Sequence, residues 1–68
     1  MDDVCNTKYG QIPSTDAAGI AKCEADTVTG GGCTWCKSGT TPSACYTLAN
    51  AEKFPSSVFA CDLPAEEI

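Results

Sequence analysis

Sixty-eight residues make one domain at most. A chain this short buries only about 60% of its unfolded surface, so its core alone leaves stability marginal. Nine acids stand against four lysines, with no arginine and no histidine, which excludes the basic face that nucleic-acid binding needs; the net charge of −5 would also be repelled by an anionic membrane surface.

Taken in order, the chain begins Met1-Asp2-Asp3, too hydrophilic for a secretory leader, and no apolar run is long enough to cross a membrane. The expectation is a mature domain cut from a longer precursor, with Met1 an added initiator. Residues 1–4 are expected to fray, residues 5–63 to form the domain, and residues 64–68, beyond Cys61 and from Pro64 on, to form an acidic tail. Neither Asn6 nor Asn50 opens a glycosylation sequon.

Residues 14–26 predict a short helix. Pro13 precedes it, Ser14 or Thr15 can serve as N-cap, Asp16 falls in the first turn, and Ala17, Ile20 and Cys23 share a face. Residues 27–32 end in Gly30-Gly31-Gly32, which lacks the lysine and serine of a phosphate-cradling loop and reads as a plain connection. Residues 33–46 predict a hairpin, with Thr34, Trp35 and Tyr46 favouring strand and Gly39–Pro42 a turn. Residues 47–54 predict a second helix, capped by Thr47 and stopped by Pro55, and 56–62 returns as an extended segment. The fold class is a small disulfide-rich α+β domain: two short helices, a small hairpin and three disulfides.

The large apolar residues are few: three Ile, two Leu, three Val, two Phe, two Tyr and one Trp. The six cysteines (Cys5, Cys23, Cys33, Cys36, Cys45 and Cys61) supply the missing constraint, and their even count in so short a chain predicts a disulfide framework formed in an oxidising compartment. The expected location is secreted, extracellular, with the domain a monomer. Six half-cystines allow 15 pairings.

Cys33-Thr34-Trp35-Cys36 is the sharpest motif. A thioredoxin-like redox site needs a longer βαβ framework and an activated thiolate, and a zinc site needs four ligands where no histidine or second such motif exists. The structural reading remains: two halves of different disulfides, with Trp35 packed on the sulfurs. Without histidine no Ser or Cys triad of the usual kind can be built, and Glu24 with Asp26 falls short of a calcium loop. No enzyme, metal or cofactor is expected.

Cys33-Thr34-Trp35-Cys36, with Cys23 ten residues before Cys33 and Cys45 nine after Cys36, resembles the Cys-x-Trp-Cys centre of the plexin–semaphorin–integrin module, a short extracellular domain that wedges between larger domains. The resemblance implies the pairing Cys5–Cys33, Cys23–Cys45 and Cys36–Cys61. Two further family cysteines are missing, Thr34 replaces a family glycine, and the Cys5-to-Cys23 gap is long. The second half, from Cys33-Thr34-Trp35-Cys36-Lys37 through Cys45-Tyr46-Thr47 to Phe54-Pro55-Ser56-Ser57-Val58-Phe59-Ala60-Cys61-Asp62, also resembles cysteine-rich segments of secreted protist and oomycete proteins.

The Lys37–Ala44 stretch, held at both ends by cysteines, is the candidate recognition loop, with Lys37, Ser38, Thr40, Thr41 and Ser43 as contact residues. Anchored ends lower the entropy cost of binding. Tyr46, Phe54 and Phe59 are expected in the core. The expected function is a secreted, acidic protein-binding module: an effector, signal or toxin-like ligand whose protein partner the sequence does not identify. The alternatives are an extracellular protease inhibitor presenting Lys37 or Thr40, and a structural spacer excised from a larger extracellular protein.

Overall fold

The computed structural model describes residues 3–39 and 41–62. Their order is α1 (Val4–Tyr9), α2 (Ala17–Ala25), a 3₁₀ turn (Thr29–Gly31), β1 (Cys33–Ser38), β2 (Ala44–Thr47), α3 (Leu48–Ala51) and β3 (Phe59–Cys61). The small disulfide-rich α+β domain is therefore present, with one helix more than the two expected. Met1, Asp2, Thr40 and the expected acidic tail 64–68 lie outside the described residues.

Of the residues 1–4 expected to fray, the two that are described, Asp3 and Val4, belong to the cap and first turn of this additional helix. Asp3 is 2% exposed and caps α1, accepting from the Cys5 and Asn6 backbone N–H groups at 2.9 and 3.0 Å. The same carboxylate accepts from the Thr47 backbone N–H at 3.0 Å, the Thr47 hydroxyl at 3.1 Å and the Asn50 side-chain amide at 2.6 Å. Thr47 in turn caps α3, as its sequence position predicts. One carboxylate thus ties the start of the chain to the junction of β2 and α3.

The second helix is shorter than 14–26. The Asp16 backbone N–H bonds the Pro13 carbonyl at 2.9 Å, so Ser14 and Thr15 form a turn and Asp16 becomes the N-cap, accepting from the Gly19 N–H at 2.9 Å. That contact accounts for a glycine inside a helix: a Cβ at residue 19 would sit 2.5 Å from the Asp16 carboxylate and 3.1 Å from Ile12. Cys23 is buried and Ile20 packs on the core, whereas Ala17 is exposed. The third helix also stops early, at Ala51, because the chain turns through Glu52–Phe54 before Pro55.

β1 is the central strand of an antiparallel sheet ordered β2-β1-β3. The expected hairpin joins β1 to β2; of the extended segment expected over 56–62 only Phe59–Cys61 is strand, as β3, because the Val58 and Phe59 N–H groups both bond the Pro55 carbonyl at 3.0 Å and hold 56–58 in a turn. Side chains alternate across a strand, and the register places Trp35 opposite Cys45 and Cys36 opposite Cys61. One face accordingly carries Cys33, Trp35, Cys45 and Thr47, and the other Cys36, Ala44, Tyr46 and Cys61. Both faces are covered, which is why Cys33 through Cys36 are all buried.

The disulfides are Cys5–Cys33, Cys23–Cys45 and Cys36–Cys61. They join α1 to β1, α2 to β2, and β1 to β3. The Cys5, Cys33 and Cys45 sulfurs lie within 4.8 Å of one another, all of them closed in disulfides, and form the core with Ile12, Cys23 and Trp35. The Trp35 indole N–H donates to the Ile12 carbonyl at 2.8 Å, so the ring fills the core without leaving a buried donor unpaired. Sequence separations of 28, 22 and 25 put each bridge, taken alone, at about 3.5 kcal/mol of loop-closure stabilisation.

Burial disfavours a charged Asp3, but donation from Asn50, Thr47 and Asn6 outweighs it and holds the carboxyl below its ordinary value. Its stabilisation is therefore present above the ordinary aspartate pKa of about 3.9 and is lost as pH falls through the lower folded value. Asp3→Ala is expected to cost about 2–3 kcal/mol in urea unfolding with the disulfides intact, and the acid-side loss of stability should be shallower in the variant than in the parent.

Candidate functional site

The candidate recognition loop is shorter than Lys37–Ala44. Lys37 and Ser38 belong to β1, paired with Ala60 and Phe59 of β3, and Ala44 opens β2. The connection itself is 39–43. Its hydroxyls are turned to bracing: the Ser38 backbone N–H donates to the Ser43 hydroxyl at 3.0 Å, the Thr41 N–H donates to the Ser38 hydroxyl at 3.0 Å, and the Ser38 and Thr41 hydroxyls lie 2.9 Å apart. On one side the Gly39 N–H reaches the Val58 carbonyl at 3.4 Å, and on the other the Ile12 N–H bonds the Ser43 carbonyl at 2.9 Å. Ser38, Thr41 and Ser43 thus come together as a stiffening network. Lys37, Thr41 and Pro42 are exposed, with Lys37 on the strand and away from the loop tip.

Tyr46, Phe54 and Phe59 form a cluster separate from the main core. Phe54 and Phe59 stack at 4.5 Å between centroids, and Tyr46 meets Phe54 edge-on at 4.9 Å. All three are half-buried. They cover the sheet face that carries Cys36–Cys61, the opposite face from Trp35.

A cavity of about 230 Å³ lies at the other end of β1 from the loop, a site that the sequence reading missed. Its apolar wall is Leu48, the Gly31–Gly32 backbone and Cys33; its rim carries Glu24, Asp26 and Asp62. Gly32 has φ 120°, and a Cβ there would stand 3.0 Å from Leu48, so glycine lets α3 approach the 3₁₀ turn. The triple glycine is a packing device at this point as well as a connection.

The rim carboxylates differ in state. Asp26 is saturated, accepting from the Val28 and Thr29 N–H groups at 3.0 and 2.8 Å, the Thr29 hydroxyl at 2.6 Å, the Tyr9 hydroxyl at 2.7 Å and Lys8 at 3.3 Å. These donors, Thr29 foremost, hold its carboxyl far below the usual range. Glu24 is pushed up to about 7, first by desolvation and then by the adjacent Asp62 carboxyl, against the opposing pull of the Trp35 backbone N–H. Asp62 is placed there by its own backbone: its N–H donates to the Trp35 carbonyl at 3.2 Å and its carbonyl accepts from the Thr34 hydroxyl at 2.6 Å. Glu24 and Asp62 are 38 positions apart, which is why local pattern reading does not join them.

Among the described residues no helix is long and apolar enough to cross a membrane. Comparison with family models, curated proteins and solved structures finds no match to this chain.

A carboxyl raised on folding stabilises the fold below its unfolded pKa, and that contribution is lost as pH rises through the folded value. An NMR pH titration should therefore show the Glu24 side chain titrating near pH 7 while Asp26 stays ionised throughout. In Glu24→Gln the inflection near neutrality should vanish.

Proposed function

We propose that the chain is a secreted, disulfide-stabilised protein-binding module, acting as an effector, signal or toxin-like ligand and contacting its partner through the 39–43 loop and the adjacent Lys37. The observation that carries this reading is the bracing of the loop. Cys36–Cys61 and Cys23–Cys45 anchor its two strands to different elements, and the Ser38, Thr41 and Ser43 hydroxyls hold it from within. A loop already held in one shape loses little freedom on docking, so more of its contact energy is available as affinity. Three disulfides in so small a domain are typical of extracellular proteins.

One observation favours a second reading, a spacer domain of the plexin–semaphorin–integrin kind. The disulfide pairing in this chain is the pairing that the resemblance implies. A precursor in which this domain lies between larger extracellular domains would favour the spacer, and one in which it stands alone would count against it.

The loop reading is tested by affinity capture from the extracellular fluid of the source tissue, using the parent chain and a Lys37→Glu, Thr41→Ala, Pro42→Ala variant with the same disulfides. The expected result is a partner held saturably by the parent and at least tenfold more weakly by the variant, a loss of about 1.4 kcal/mol. A partner held equally by both would remove the loop from the interface, and the absence of any saturable partner would count against the binding role.

A further inference from the structure

The cavity at the Cys33 end of β1 has a composition that selects its occupant. At about 230 Å³ it is smaller than the roughly 300–1,000 Å³ of a typical small-molecule site, and suits a single side chain. Its wall is apolar, formed by Leu48, Cys33 and glycine backbone, and its rim is acidic. We propose that this cavity receives one lysine side chain of a protein partner, with the apolar stem against Leu48 and the Gly31–Gly32 backbone and the ammonium between the Glu24 and Asp62 carboxylates.

Asp26 does not compete for the ammonium, because five donors already fill its oxygens. It serves as a fixed part of the rim. Glu24 is different: it stands beside Asp62, the two contributed by α2 and by the residue after β3, and the Asp62 carboxyl disfavours the ionised form of Glu24. A cation lodged between them replaces the proton that Glu24 otherwise holds. Lysine suits this arrangement better than arginine. Its ammonium is a compact charge with three donors for oxygens on two separate residues, whereas the planar guanidinium fork matches the two oxygens of one carboxylate. The net charge of −5 also draws a basic partner surface toward the domain.

The proposal carries its own pH signature. Among the described residues the titratable groups lining the cavity are Glu24, Asp26 and Asp62; the 3₁₀ turn, β1 and α3 contribute none. Binding displaces the Glu24 proton, so affinity rises with pH through neutrality. The proposal rests on the protein-binding reading only in naming a protein as the source of the lysine. It is independent of the 39–43 loop, which lies at the opposite end of β1.

The test is an NMR titration of the full isotope-labelled chain with Nα-acetyl-lysine methylamide, compared with the norleucine and arginine analogues. Saturable shifts are expected at Gly31, Gly32, Thr34 and Leu48, with affinity roughly tenfold higher near pH 8 than near pH 5.5. The norleucine analogue should bind at least roughly tenfold more weakly, and Glu24→Gln and Asp62→Asn should each weaken lysine binding several-fold, while the loop variant above retains it. Glu24 and Asp62 are both exposed, so these variants should keep the parent spectrum elsewhere. No saturable shift, equal response to norleucine, tighter binding of arginine, or affinity unchanged by pH or by the Glu24→Gln, Asp62→Asn pair would each overturn the proposal. Failure of the loop experiment alone would leave it standing.

Discussion

Two disulfides, Cys5–Cys33 and Cys23–Cys45, meet beneath Trp35, and the arrangement of the other elements depends on that contact. A chain with so few large apolar side chains cannot define a core by packing alone. Here sulfur and one indole do most of the filling, and the two bridges fasten α1 and α2 to adjacent strands of one hairpin. Cys36–Cys61 then fastens β3 to the opposite edge of β1. The central strand therefore carries a half-cystine of one bridge at Cys33 and of another at Cys36, and the CxxC spacing puts them on opposite faces of the sheet with Trp35 between them.

This framework shapes both ends of the central strand. β1 runs from an acidic cavity at Cys33 and Thr34 to a braced loop beyond Ser38. Both ends are preorganised, but by different means. Hydroxyl hydrogen bonds and flanking disulfides hold the loop; glycine backbone packed against Leu48, together with a saturated Asp26, shapes the cavity. The half-buried cluster of Tyr46, Phe54 and Phe59 gives the far face of the sheet its own small core, separate from the Trp35 core in which these aromatics were expected.

Much of the architecture was legible in the sequence because it is written in local chemistry. The hairpin over 33–46, the Thr47 cap and the extended return before Asp62 all follow from residues close in the chain. Helix ends were less legible: Ser14 and Thr15 are good caps in isolation, but the turn from Pro13 hands that role to Asp16. The first helix was missed because Asp3 looks like a solubilising terminal charge, and its partners Thr47 and Asn50 are 44 and 47 residues away. The cavity was missed for the same reason, since Glu24, Leu48 and Asp62 converge only through the disulfides and the sheet. The loop was found but drawn too long, because nothing in Lys37 or Ser38 announces their pairing with β3.

The central claim is that interleaved bridges, with Cys33 and Cys36 in different disulfides, create both ends of β1. Peptide mapping of the non-reduced protein tests it most directly. The expected fragments are linked as Cys5–Cys33, Cys23–Cys45 and Cys36–Cys61. A fragment linking Cys33 to Cys36 would contradict it.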